Sequence, residues 1–214
     1  MRKFLSTKWA KIFLFTLSLL PFVILVWQAF HGELGPSPVE NLQHTTGDWT
    51  LYFLLITLAI TPFRTIFSVP ELVRFRRMFG LFAFFYVCLH FLTYLGPDQS
   101  FSLSSMLKDV YKRPFIAVGF AAFVLLIPLA ITSTKDWTIR LGGKRWRQLH
   151  RLVYVIGILG VIHYYWLVKS DVRKPLLFGV LLAILLLWRL GNWNSNRKKQ
   201  VLARKSMQSA SVNG

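Results

Sequence analysis

Six long apolar stretches, divided by connections that carry nearly all of the charge, leave this chain few ways to fold. They cover residues 12–30, 49–63, 79–95, 114–131, 152–168 and 175–190 of 214. A helix needs about 20 apolar residues to cross about 30 Å of hydrocarbon. The shorter stretches reach that length with flanking aromatics and snorkelling Arg or Lys. Composition agrees: 54% of residues are hydrophobic, 16% aromatic and only 8 acidic, well away from soluble domains. The expected fold is all-α, a polytopic membrane protein whose six transmembrane helices form one bundle over residues 1–190. Residues 191–214, basic and then small and polar, cannot bury a core and are expected to be a disordered cytoplasmic tail. Arg2, Lys3, Lys8 and Lys11 precede the first stretch in the manner of a signal peptide. Its length, and the lack of a small-x-small pattern before His31, favour a retained helix.

A net charge of +18 in a soluble protein would point to nucleic acid. Here the basic residues punctuate apolar spans instead of forming one stripe, so the lipid bilayer is the expected partner and nucleic acid is not. Of the 26 Lys and Arg, 20 fall in the N-terminal segment, the 64–77 and 135–151 loops and the tail from Arg189. The other 6 share the alternate loops with 6 of the 8 acidic residues. By the positive-inside rule both termini are cytoplasmic and the first, third and fifth loops face outward.

The lone Cys88 rules out an intrachain disulfide, a Cys-rich zinc site and an iron–sulfur cluster. The C-x-x-C-H pattern is missing, so any haem is held non-covalently. There is no Gly-rich phosphate loop or dinucleotide fingerprint, hence no nicotinamide or flavin domain of the Rossmann type.

Histidine is the residue type left to carry chemistry. Of His31, His44, His90, His150 and His163, two lie inside spans. His90 is on the third stretch and His163 on the fifth, each 6 residues before the outward end marked by Gly96 or Lys169. At 1.5 Å per residue both imidazoles sit about 9 Å below that end. Imidazole in hydrocarbon is costly and faces a partner. Two at one depth on different helices can supply both axial ligands of one haem iron; interhelical hydrogen bonding and a proton relay are the alternatives. Every carboxylate reads as lying at or outside a span end, which disfavours an ion-coupled transporter. His150 starts the fifth stretch on the inner side. It is either a ligand of a second haem, with Met78 as a speculative partner, or an interfacial contact to a headgroup or propionate. Arg77 and Arg151 are further candidates for inner propionates, Arg113 and Lys169 for outer ones. His44 reads as part of a helix start near Thr45, Thr46 and Asp48, with a quinone or protein contact as its alternative.

Residues 76–94 (RRMFGLFAFFYVCLHFLTY), 130–134 (AITST), 146–154 (WRQLHRLVY) and 163–166 (HYYW) resemble the ferric reductase transmembrane domain superfamily. Together with 43–47 (QHTTG) and 60–63 (ITPF) they resemble, within it, the MsrQ (YedZ) family of haem-binding membrane subunits of periplasmic methionine-sulfoxide reductase systems. The resemblance spans roughly residues 10–190. It implies one or two b-type haems, with ligand positions at His90, His150 and His163, and an associated FMN that no residue here places. It also implies a bacterial inner-membrane location. Electrons would come from the quinone pool, or from a separate cytoplasmic flavin reductase, and pass to MsrP, a periplasmic molybdopterin enzyme that repairs oxidised proteins. The chain would be the electron-transfer subunit and not the catalytic one. The family has two histidines on each ligand helix, whereas His90 stands alone on the third stretch. The competing functions are a stand-alone transmembrane ferric reductase and a non-redox transporter or scaffold.

Overall fold

The computed structural model describes residues 2–168 and 170–212, and every regular element among them is helical. In chain order these are α1 (Arg2–Leu5), α2 (Lys8–His31), α3 (Pro38–Ile66), α4 (Val73–Thr93), α5 (Leu103–Lys112), α6 (Pro114–Ile131), α7 (Lys135–Leu149), α8 (Leu152–Leu167) and α9 (Arg173–Val212). Helices α2, α3, α4, α6 and α9 are each long and apolar enough to span a bilayer. The sixth span is α8, which at 16 residues measures about 24 Å. It packs between α6 and α9, while α3 packs along α4 and also touches α9.

The polarity of the fold is that of a protein in lipid. Leu58, Ala83, Tyr86 and Phe75 are almost fully enclosed, whereas Trp9, Phe13, Trp27, Phe30 and Leu187 face outward. An outward apolar belt of that extent is untenable in water and expected against acyl chains.

Proline opens the helical bond ladder, and side chains from neighbouring helices close it again. Pro62 lies inside α3 and has no N–H to offer the carbonyl of Leu58. Arg189 of α9 donates to that carbonyl at 2.6 Å and to the Tyr154 hydroxyl at 3.1 Å. One guanidinium thus ties α3, α8 and α9 together. Pro21 interrupts α2 next to the Phe22–Ser18 step. There the Tyr86 hydroxyl accepts from the Phe22 N–H at 3.2 Å and donates to the Ser18 carbonyl at 2.8 Å. A side chain placed between the two groups of one helical bond is a recognised cause of bending, and here it pins α2 to α4.

Three differences from the sequence reading matter. First, α3 begins at Pro38, well before the apolar stretch at residue 49, with Pro at the first helical position and Glu40 in the first turn. Pro needs no N–H bond there and Glu40 meets the positive end of the helix dipole. Residues 43–48 therefore lie within the helix. Second, the connections hold α5 and α7, capped by Ser102 and Thr134 side chains that accept from Ser105 N and Trp137 N. Third, α9 does not end with the span but continues to Val212. The stretch beyond Gly191 has no Gly or Pro up to that point and is rich in Lys, Arg, Gln and Ala, which favour helix without a core to pack on.

Replacing Tyr86 by Phe removes the hydroxyl that joins α2 to α4 and leaves an amide and a carbonyl short of a partner. The expected loss is about 1 kcal/mol in a membrane setting. It should appear as a lower unfolding midpoint in detergent, with helical content unchanged before the transition.

Candidate haem site

The C-terminal ends of α4 and α8 and the N-terminal ends of α3, α6 and α9 gather at one end of the bundle, and there His90 and His163 meet. Their ring centroids are 6.2 Å apart, with the ring planes at 79°. The Nδ1 of His90 is 2.9 Å from the Gln43 carbonyl on α3, and the Nδ1 of His163 is 2.6 Å from the Phe115 carbonyl on α6. A carbonyl only accepts, so both Nδ1 atoms carry the hydrogen and donate it. Each Nε2 then keeps a free lone pair. This is the arrangement in which an outer hydrogen bond fixes the tautomer and direction of a metal-binding histidine.

Both seats are built alike. The carbonyl at residue 43 is followed four positions on by Gly47, and that at 115 by Gly119, so each pair lies on one helix face. A Cβ at Gly47 would stand 3.3 Å from His90 Nδ1, and one at Gly119 would stand 2.6 Å from His163 Nδ1. Glycine lets each imidazole rest on the backbone of the facing helix.

The pair suits a metal-centred group held between two helices: the rings are 6.2 Å apart, and each would offer the one nitrogen that its backbone hydrogen bond leaves free. Around the pair is a cavity of about 230 Å³ with aromatic and aliphatic walls that include Phe91, Phe120, Phe123, Leu54 and Leu126. A mostly apolar cleft with few polar groups is the usual form of a cofactor site.

Charged groups cluster at the same end of the bundle. Arg113, the candidate for a propionate contact, lines the cavity, and its Nε lies 2.9 Å from Asp109. Asp109 also accepts from the Tyr94 hydroxyl at 3.0 Å. Lys169, the other candidate for an outer propionate, lies outside the described residues. Asp48 sits deeper than the span-end position that the sequence suggests for every carboxylate. Because α3 starts early, Asp48 is within the helix, one residue past Gly47, buried and lining the cavity. Its Oδ2 accepts from Lys174 of α9 at 2.9 Å. It was missed because the sequence reading treats it as a cap. His44 also lines the cavity; its ring stands 6.3 Å from that of Tyr164, and it lies 3.8 Å from Glu40. His31 is exposed, stacked on Trp27 and bonded to its carbonyl, a local role with no link to the cavity.

His150 is not brought to the other two. It ends α7, stacked on Trp146 at 3.9 Å with its Nε2 3.1 Å from the Thr132 hydroxyl. Trp146 itself donates to the Thr132 carbonyl at 2.9 Å. Burial, and then the nearby Arg76 charge, pull the His150 pKa down to about 4, so the ring is neutral at physiological pH. The cation acting on it is Arg76, the neighbour in sequence of Arg77. Met78, the speculative second ligand, is buried in the hydrophobic core with Phe75 and Phe82.

Comparison with known proteins gives a consistent picture. A family profile described as "Ferric reductase like transmembrane component" matches residues 46–161. The chain is 55% identical over 199 residues to the protein-methionine-sulfoxide reductase heme-binding subunit MsrQ of Herminiimonas arsenicoxydans, covering 92% of this chain and 91% of that one. It is 51% identical over 177 residues to MsrQ of Caulobacter vibrioides, with 83% of each chain covered. To MsrQ of Bordetella pertussis it is 52% identical over 185 residues, with 86% of this chain and 89% of that one covered. No solved structure matches.

The glycine seats can be tested directly. Gly119→Ala should push the His163 ring off its carbonyl and weaken haem binding by about tenfold or more, equivalent to about 1.4 kcal/mol. Gly47→Ala, with its looser contact, should cost less. The haem-to-protein absorbance ratio after purification measures both.

Proposed function

Because the chain belongs to the family of MsrQ heme-binding subunits, ferric-reductase-like membrane components, we propose that it carries electrons through b-type haem to a periplasmic methionine-sulfoxide reductase. The electron source in this reading is the quinone pool or a separate cytoplasmic flavin reductase, and the acceptor is the molybdopterin subunit MsrP. The membrane is the bacterial inner membrane with both termini cytoplasmic, as the partition of 20 basic residues against 6 supports. The observation that carries the proposal is the His90–His163 pair, whose rings are 6.2 Å apart with both Nδ1 hydrogens committed to backbone carbonyls.

A b-type haem at this pair supplies one-electron chemistry at a potential set by its ligands and surroundings. The chain's own residues do the rest. His90 and His163 offer their Nε2 atoms, and the Gln43 and Phe115 carbonyls keep both rings from turning. The aromatic and aliphatic walls lower the local polarity around the pair, which strengthens charge interactions there. Arg113, held by Asp109, places a cation at the cavity wall and would be available to a propionate. His150 is the remaining family-matched ligand position, on the inner side, for a second haem.

In this reading, replacing His90 or His163 by Ala abolishes or severely lowers haem binding, while replacing His31 leaves it intact. Haem content and the reduced-minus-oxidised spectrum decide; normal spectra in both variants would rule out the pairing. His150→Ala separates one haem from two, since only in the second case does the haem-to-protein ratio fall.

The exit surface is the outward side that carries α5 and the 171–173 segment. Lys108, Lys112 and Arg173 are exposed there, so docking of a soluble acceptor should be steered by charge and weaken with salt. Reversing these three charges is expected to slow transfer to MsrP at low ionic strength without changing haem reduction by the donor. A wild-type rate for the triple variant would place the exit elsewhere. Rapid reduction of chelated iron without any protein partner would favour the ferric reductase reading.

A further inference from the structure

Asp48 is a buried carboxylate in the wall of the cavity, and ionisable groups at membrane depth usually serve function. Its ion pair with Lys174 is lopsided. The Asp48 side chain is 11% exposed and that of Lys174 63%. Asp48 lines the cavity shared by His90 and His163, whereas Lys174 is not part of that lining. The second carboxylate oxygen, Oδ1, is buried and has no hydrogen-bond partner. Tyr164, also of the cavity wall, interacts with the carboxylate both by charge and as a hydrogen-bond donor, so the Asp48 group is tied to the wall of the cavity as well as to Lys174. The negative end of the pair therefore faces the ligand site and the positive end faces out.

Resting on the haem assignment above, we propose that the Asp48–Lys174 pair is a charge device that sets the reduction potential of the centre held by His90 and His163. Reduction adds one electron from the donor and no proton, so the cavity becomes one unit more negative. A fixed carboxylate in the wall opposes that change and lowers the potential. The lysine offsets part of the effect, and being more exposed it is more strongly screened. Neither residue touches iron; both act on it through space.

Equilibrium redox titration of the haem-loaded protein in detergent, at one pH and ionic strength, tests this. Asp48→Asn should shift the midpoint upward. Lys174→Gln should shift it downward by a smaller amount, and Lys174→Glu further down. The Asp48→Asn/Lys174→Gln double variant should lie slightly above wild type, because the carboxylate is the nearer charge. A purely structural role predicts no such reversal of sign between the two partners. An unchanged or lowered midpoint in Asp48→Asn, with the low-spin spectrum of the pair intact, overturns the proposal. If Asp48→Asn fails to hold haem, the two exposed Lys174 variants decide: midpoints equal to wild type in both overturn it. Failure of the haem assignment would show separately, as wild-type protein without haem bands or as normal haem in His90→Ala and His163→Ala.

Discussion

In hydrocarbon no water is available to satisfy a backbone amide or carbonyl, and each one left unmet costs several kcal/mol. The organisation of this protein follows from how that demand is handled. A carbonyl has two lone pairs, so one inside a helix can serve the ladder and still accept a side-chain hydrogen. Gln43 and Phe115 accept imidazole N–H groups in this way. Turning either ring would strand a buried donor, so the direction of each Nε2 is fixed by the same requirement that keeps the helices intact. Leu58, deprived of its helical donor by Pro62, takes one from Arg189.

These bonds also bring the helices to their partners. His90 joins α4 to α3, His163 joins α8 to α6, and Arg189 joins α9 to α3 and α8. Without a hydrophobic force between helices in lipid, association depends on close packing, small residues and such interhelical bonds. Gly47 and Gly119 provide the close approach where the imidazoles provide the bonds. Tyr86, one turn before His90, locks α2 onto the same strip of α4. The site is thus part of what assembles the bundle.

Much of this was legible in the sequence where apolarity or charge carried it. The six spans and the common depth of His90 and His163 follow from counting residues against charged boundaries, and the two rings do meet. What escaped was structure that hydropathy does not report. An apolar window marks contact with lipid and not the extent of a helix, so the early start of α3 was hidden, and Asp48 was read as a cap. A lone glycine inside a helix reads as loose packing or a hinge. Only its spacing of four from a carbonyl that a histidine reaches reveals a seat, and that carbonyl belongs to another helix. The polar helices α5 and α7 and the extension of α9 rest on capping and propensity, signals that are weak beside an apolar span.

His150 shows that a residue can be recognised as a candidate while its chemistry differs in kind from that of its companions. The Thr132 hydroxyl donates to the Pro128 carbonyl at 2.6 Å, so its oxygen is left to accept from the imidazole. The Nε2 of His150, 3.1 Å away, is then the protonated nitrogen, and the free lone pair is on Nδ1. His90 and His163 have the opposite tautomer. Stacking on Trp146 holds the ring in place, and burial, helped by the Arg76 charge, keeps it neutral. A metal at His150 would therefore bind through Nδ1 or displace the Thr132 contact, whereas the His90–His163 pair needs neither change. The fold holds those two rings with both Nε2 atoms uncommitted, and commits His150 through the very nitrogen that they leave open.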